Sequence, residues 1–228
     1  MRLYDPESDT SPPVPPGPLR IHVHGPDLRA HVVADVLRRV AERRRRPVLT
    51  GRSGPPPDRP LTDMNVLPME WEPGAADLHV SDEAVPGRCL VVAPTSGSWA
   101  DADPVTIRLT MLRTHYREPL AADASAAAAQ LGRWRALVAE WANAPGRPLR
   151  ADHVAAAAAA FDDDLDTPAV LAAMDRLAAD PEIPPGAKFE TFVDLDLILA
   201  LDLVSAIGRS LPPVAPGDRP GMTARGDG

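Results

Sequence analysis

Cysteine is almost missing from this chain of 228 residues, Cys89 being the only one. An internal disulfide is thereby excluded, and so is a cysteine-rich zinc site. Lysine is equally rare: Lys188 stands alone, and arginine supplies the other basic side chains. Aromatic residues make up only 4%, so a core drawn from the 44% of hydrophobic residues has to be aliphatic and alanine-rich. No segment reads as a secretory h-region, and no apolar run is long enough to span a bilayer. Positive charge is in deficit as well. A formal net charge of −8 opposes a broad nucleic-acid surface, whose affinity rests on many phosphate contacts, and leaves room for a local patch only. The expectation is a soluble, cytoplasmic protein that does not touch a membrane. The 28 prolines and the alanine runs read as compositional bias and carry no functional signal.

Residues 1 to 19 are polar and proline-rich apart from Leu3 and Tyr4, which predicts a mostly unfolded lead-in. Arg20-Ile-His-Val-His24 alternates as a strand does, and Gly25-Pro-Asp27 ends it. Apolar residues from Leu28 to Val40 recur at helical spacing, and Pro47-Val-Leu-Thr50 follows as a second strand. Strand, helix, strand is the unit that builds a parallel sheet. The breaker-rich stretch 51–62 predicts a loop. Asp77-Leu-His-Val-Ser81 and Cys89-Leu-Val-Val-Ala93 are further strands, with Pro94-Thr-Ser-Gly-Ser98 as a turn. Beyond that the pattern is helical, over about 103–116, 123–143, 150–161, 167–179 and 188–207, with Thr167 capping and Pro168 in the first turn of the fourth segment. The Pro- and Gly-rich tail 210–228 predicts disorder.

Four blocks in order resemble the helical domain that follows the catalytic domain of cysteinyl-tRNA synthetases and of their paralogue, the cysteine ligase of mycothiol biosynthesis. They are Asp103-Pro-Val-Thr-Ile-Arg-Leu-Thr-Met-Leu-Arg-Thr-His-Tyr-Arg117, Leu131-Gly-Arg-Trp-Arg135, Phe161-Asp-Asp-Asp-Leu-Asp-Thr-Pro168 and Gly186-Ala-Lys-Phe-Glu-Thr-Phe192. Weaker likenesses lie upstream. Met1-Arg-Leu-Tyr-Asp5 is similar to the family's short opening strand, which would dock Leu3 and Tyr4. In His22-Val-His-Gly-Pro26, His24 stands where the family has its first zinc-binding cysteine. Val32-Val-Ala-Asp-Val-Leu-Arg-Arg39 resembles the helix end that follows the family's ATP-binding signature, yet only Asp27-Leu-Arg-Ala-His31 lies where that histidine-rich signature belongs. Leu61-Thr-Asp-Met-Asn-Val-Leu-Pro68 resembles a run of the family's inserted domain. The other zinc ligands and the lysine-rich phosphate loop have no counterpart, and Ser96-Gly-Ser98 falls near the place of that loop without a lysine.

Candidate residues follow from both kinds of reading. ATP, if bound, would use Gly25, Pro26, Asp27, His31, Ser96 and Ser98. His22 and His24 share a strand face and suit either a metal or ordinary half-buried packing; His24 is the weak metal candidate, and zinc is not expected. Cys89 is a nucleophile or an inert buried thiol. Arg43 to Arg46 is a phosphate contact or a solvated helix end. The acidic run Asp162, Asp163, Asp164 and Asp166 is a cation site or a charged turn. Arg108, Arg113, His115, Tyr116 and Arg117 are spaced to share one helix face, for tRNA, a partner protein or interdomain packing. Together these predict an α/β plus all-α protein: a reduced Rossmann-like parallel sheet over 20–100 followed by an antiparallel helical bundle over 101–209. The functional expectation is a synthetase-like paralogue without adenylation that binds tRNA, a synthetase or another protein. The alternative is a reduced ATP-dependent cysteine ligase acting on tRNA or a small molecule.

Overall fold

A computed structural model describes residues 1–69, 74–99 and 101–208. The predicted disordered tail, 210–228, lies outside the described residues. Among the described residues, a four-stranded parallel sheet, a two-stranded one and six α-helices stand in an α/β plus helical arrangement. The sheet has the order β2-β1-β3-β4, with β1 at Leu19–His24, β2 at Val48–Ser53, β3 at Leu78–Ser81 and β4 at Cys89–Val91. Leu19, Ile21 and Val23 of β1 are fully buried, as are Leu78 and Val80 of β3.

Helix α1, Leu28–Arg43, carries the chain from β1 to β2. It starts where the sequence places it, because the Asp27 carboxylate accepts a hydrogen bond from Ala30 N at 2.7 Å. The connection from β3 to β4 is unusual. Parallel neighbours ordinarily need a dozen or more residues and a helix between them. Here residues 82–88 suffice, with Gly87 turning at φ 94°. Because β2 and β3 lie on opposite sides of β1, the chain reverses its direction of progress at β1, and the carboxyl ends of β1 and β3 flank that reversal.

The segment 94–98, expected as a turn, instead contributes strand β5, Thr95–Ser96, which pairs in parallel with β6, Leu120–Ala121. The pairing holds because Leu120 N donates to Pro94 O at 3.0 Å and Ala122 N to Ser96 O at 2.8 Å.

Five helices follow β5: α2 at Pro104–Leu112, α3 at Ser125–Trp141, α4 at Ala151–Asp162, α5 at Thr167–Ala179 and α6 at Pro185–Leu199. The end of α2, the cap of α5 and the bounds of α6 differ from expectation. Helix α2 stops at Leu112 and not near residue 116, because its last carbonyl accepts from the Thr167 hydroxyl at 2.8 Å and the next carbonyls turn onto Arg29. With its hydroxyl so used, Thr167 does not cap α5; Asp166 does, accepting from Ala169 N at 2.9 Å. Helix α6 begins at Pro185 and ends at Leu199, where Ala200 takes a left-handed conformation at φ 54°. The Asp196 carboxylate fixes that ending by accepting from Leu201 N at 2.7 Å and Leu203 N at 2.9 Å.

One apolar core runs through sheet and helices alike. In the helical part it centres on Phe192, which meets Trp134 edge-on at 5.8 Å and Trp141 at 5.2 Å between ring centroids. Lys188 lies in this core, its ammonium donating to Ala178 O at 2.9 Å. Polar groups join the two parts. Arg108 on α2, fully buried, donates to Asp35 Oδ2 on α1 at 2.7 Å, to Met64 O at 3.1 Å and to Leu199 O at 2.6 Å. Asp35 also accepts from Arg39 Nε at 2.8 Å and from Leu67 N at 2.9 Å, so the ion pair has its remaining lone pairs satisfied. The stretch before β1 forms no long element. Leu3 is nevertheless fully buried, and Arg2 N donates to Asp162 O at 2.8 Å beside α4.

Candidate functional site

Two places collect the chemistry-bearing side chains: the carboxyl edge of the sheet and a cleft beyond α2. At the edge, His24 ends β1 and His79 lies on β3, and His24 Nε2 and His79 Nδ1 share a hydrogen bond at 2.9 Å. His22 stacks on His24 with 4.0 Å between ring centroids and shares a hydrogen bond of 2.9 Å with Ser53 Oγ through Nε2. All three imidazoles are held below their ordinary pKa, chiefly by burial; for His22, at about 4, the other two rings add to the effect. The sequence paired His22 with His24. Distant His79 has no recognisable ligand spacing to His24 in the sequence, and the pairing of β3 with β1 brings it beside them.

The nucleotide-binding expectation meets a crowded edge. Gly25 follows β1 in a left-handed turn, and Gly54 follows β2 so closely that a Cβ on Gly54 would stand 3.3 Å from Gly25 Cα. The N-terminus of α1, where an anion would gain from the helix dipole, already holds the Asp27 carboxylate. Burial, with Asp82 adding to it, raises the Asp27 pKa. His31 is completely buried, shares a 2.7 Å hydrogen bond with Asp27 O through Nδ1, and has its pKa lowered by burial. Ser96 belongs to the second, two-stranded sheet, with Oγ donating to Leu120 O at 3.4 Å, and Ser98 lies just beyond that strand. Phosphate stabilisation needs cations at the reacting centre. Lys188 is buried in the helical core, and Arg29 is spent on the backbone.

Arg29 is the residue that sequence reading passed over. Fully buried on α1, it donates to Ala93 O at 3.1 Å, Glu118 O at 2.7 Å, Thr114 O at 3.0 Å and His115 O at 2.8 Å. It thereby shapes the segment after α2, where Arg113, His115, Tyr116 and Arg117 stand. Because α2 has already ended, these four do not share a helix face with Arg108, and Arg108 lies inside the molecule. His115, Tyr116 and Arg117 gather around Asp164, whose Oδ1 accepts from Tyr116 Oη at 2.6 Å and from Tyr4 N at 2.8 Å. The burial of Tyr116 and its bond to Asp164 raise the phenol pKa. Arg117 lies 4.0 Å over the Tyr4 ring and 3.5 Å from Asp164 Oδ2, while Arg113 donates to Gln130. A cleft of about 490 Å³ opens between Arg113, His115, Arg117, Glu118 and Asp166.

The remaining candidates have structural partners. Asp162 pairs with Arg44, Asp164 binds Tyr4 and Tyr116, and Asp166 caps α5, so the acidic run serves as a turn with Asp164 and Leu165 both left-handed. Arg43 pairs with Asp194, and Arg46 holds Gly17 O. Cys89 is buried, and burial pushes its thiol pKa up, which is the signature of an inert thiol.

The fold is that of an α/β protein with a helical extension, whose sheet carries three clustered histidines. Among curated proteins, part of this chain is similar to L-cysteine:1D-myo-inositol 2-amino-2-deoxy-alpha-D-glucopyranoside ligases. That of Thermobifida fusca is 43% identical over 115 residues, 45% of this chain and 26% of the ligase. That of Nocardiopsis dassonvillei is 44% identical over 79 residues, 33% of this chain and 18% of the ligase. That of Catenulispora acidiphila is 40% identical over 90 residues, 38% of this chain and 20% of the ligase. The matches therefore span about a quarter or less of these relatives' own length. No protein-family model matches the chain. No helix among the described residues is long and apolar enough to cross a membrane.

Proposed function

We propose that this chain is a cysteine-ligase-like paralogue without ATP-dependent amino-acid activation, acting as a non-catalytic binding protein for tRNA or a protein partner. One observation carries the loss of activation: the α1 N-terminus is filled by its own Asp27 carboxylate and hemmed by the Gly25–Gly54 approach, with the sole lysine buried elsewhere. Adenylation gathers negative charge at a pentacoordinate phosphorus, and each missing donor there costs several kcal/mol of transition-state stabilisation. The cleft beside Arg113 and Arg117 supports the binding reading, since it is open and bordered by the two guanidinium groups, with Glu118 and Asp166 also on its rim. In this reading the helices after β5 play the part of the antiparallel bundle that follows the catalytic domain in the synthetases, and the protein works in the cytoplasm.

Pyrophosphate exchange into ATP across all amino acids, with cysteine and zinc included, tests the first half. Absence of exchange from folded protein is expected; exchange with any amino acid would overturn it. The paired variant Arg113→Glu/Arg117→Glu tests the second, with loss of tRNA retention at low salt as the expected result. Unchanged retention would remove the cleft from the binding surface. A second reading, an ATP-dependent cysteine ligase with a small-molecule or tRNA acceptor, is compatible with the relatives' ligase names. The same exchange experiment separates the two.

A further inference from the structure

We propose that His22, His24 and His79 together bind one borderline divalent transition-metal ion, zinc fitting best, with a fourth coordination position left for water or an incoming ligand. Ring nitrogens of the three lie within 4.8 Å of one another, and no other such convergence of histidine, cysteine or carboxylate donors occurs among the described residues. They come from two paired strands whose register sets His22 directly opposite His79, so the sheet fixes their spacing. In tetrahedral zinc with Zn–N near 2.0–2.1 Å, two imidazole nitrogens stand about 3.4 Å apart. His24 Nε2 and His79 Nδ1 are already at 2.9 Å, so replacing their shared proton with a metal ion asks for an opening of only about half an ångström.

The surroundings suit the ion. Neutral imidazole is the form in which histidine binds a metal ion. Ser53 Oγ orients His22 through the ring nitrogen opposite its Nδ1, the outer hydrogen bond that metal-bound histidines commonly carry. Val23 and Val80, both fully buried, lie on the same two strands and stiffen the sheet that carries the rings. The cluster lies on one face of the sheet, across the β1–β3 pair. Its donor set is this chain's own: His24 alone falls at a position that resembles a zinc-ligand position in the synthetases.

The full-length protein, stripped with chelator and dialysed, is titrated with zinc against a chromophoric competitor while the histidine ring protons are followed by NMR. One equivalent bound per chain is expected, with three of the six histidine rings shifted and those of His31, His115 and His153 unmoved. Cobalt should give a visible spectrum without thiolate charge-transfer bands, which separates an all-imidazole set from one that includes Cys89. His24→Ala and the near-isosteric His79→Gln should each weaken zinc roughly tenfold or more, with far-UV circular dichroism unchanged, and His153→Ala should not. The proposal is overturned if the folded wild-type protein takes up no stoichiometric zinc, if other rings shift instead, or if thiolate bands appear. The wild-type titration does not depend on how the variants fold.

Discussion

At the scale of single residues, the most consequential side chains are buried arginines that do no chemistry. Arg29 spends four hydrogen bonds on four carbonyls of segments distant in sequence. Replacing it with Met leaves those acceptors unpaired in the interior and should cost about 3–5 kcal/mol, read as a lower urea midpoint. Arg29→Lys should recover part of the loss, because a point ammonium cannot span the same acceptors. His31 gives a pH-dependent counterpart. Burial lowers its folded pKa, so the folded state resists the proton that the unfolded state accepts near pH 6.5. Stability should therefore fall as pH drops below about 6.5 and go on falling until the folded pKa is reached. Comparing wild type with His31→Leu in urea melts from pH 8 to 4 should show a smaller loss on acidification in the variant, and equal slopes would contradict the assignment.

At the scale of elements, Gly186 near the start of α6 is the tightest point. A Cβ there would run into the Pro145 carbonyl, which is backbone and cannot swing aside. Gly186→Ala should cost about 1–3 kcal/mol despite the higher helix propensity of alanine, measurable as a lowered thermal midpoint. Much at this scale was legible in the sequence. Alternation marked β1 and β3, the apolar spacing from Leu28 to Val40 marked α1, and a proline in the first turn marked α5. What stayed hidden depends on partners far along the chain. Thr167 looks like a cap until Leu112 O claims its hydroxyl, and α2 looks longer until Arg29 draws the next carbonyls away. The histidine trio shows the same division: His22 and His24 are paired by strand period, whereas His79 joins them through sheet register, which no local pattern encodes.

At the scale of the whole molecule, a core continuous from sheet to helices and the Asp35–Arg108 pair across their junction argue for one folding unit. Unfolding followed by far-UV circular dichroism and by tryptophan fluorescence, read in a variant that keeps only Trp134 and Trp141 of the four tryptophans, should give coincident transitions; separated midpoints would mean that the sheet and the helices melt independently. The buried position of Lys188 reaches beyond stability. The chain's single ε-amino group is only 8% exposed and bonded to a carbonyl. Folded protein therefore offers no side-chain handle for amine-directed acylation, crosslinking or enzymatic tagging through an isopeptide bond, and any such mark on Lys188 would record that the helical core had opened.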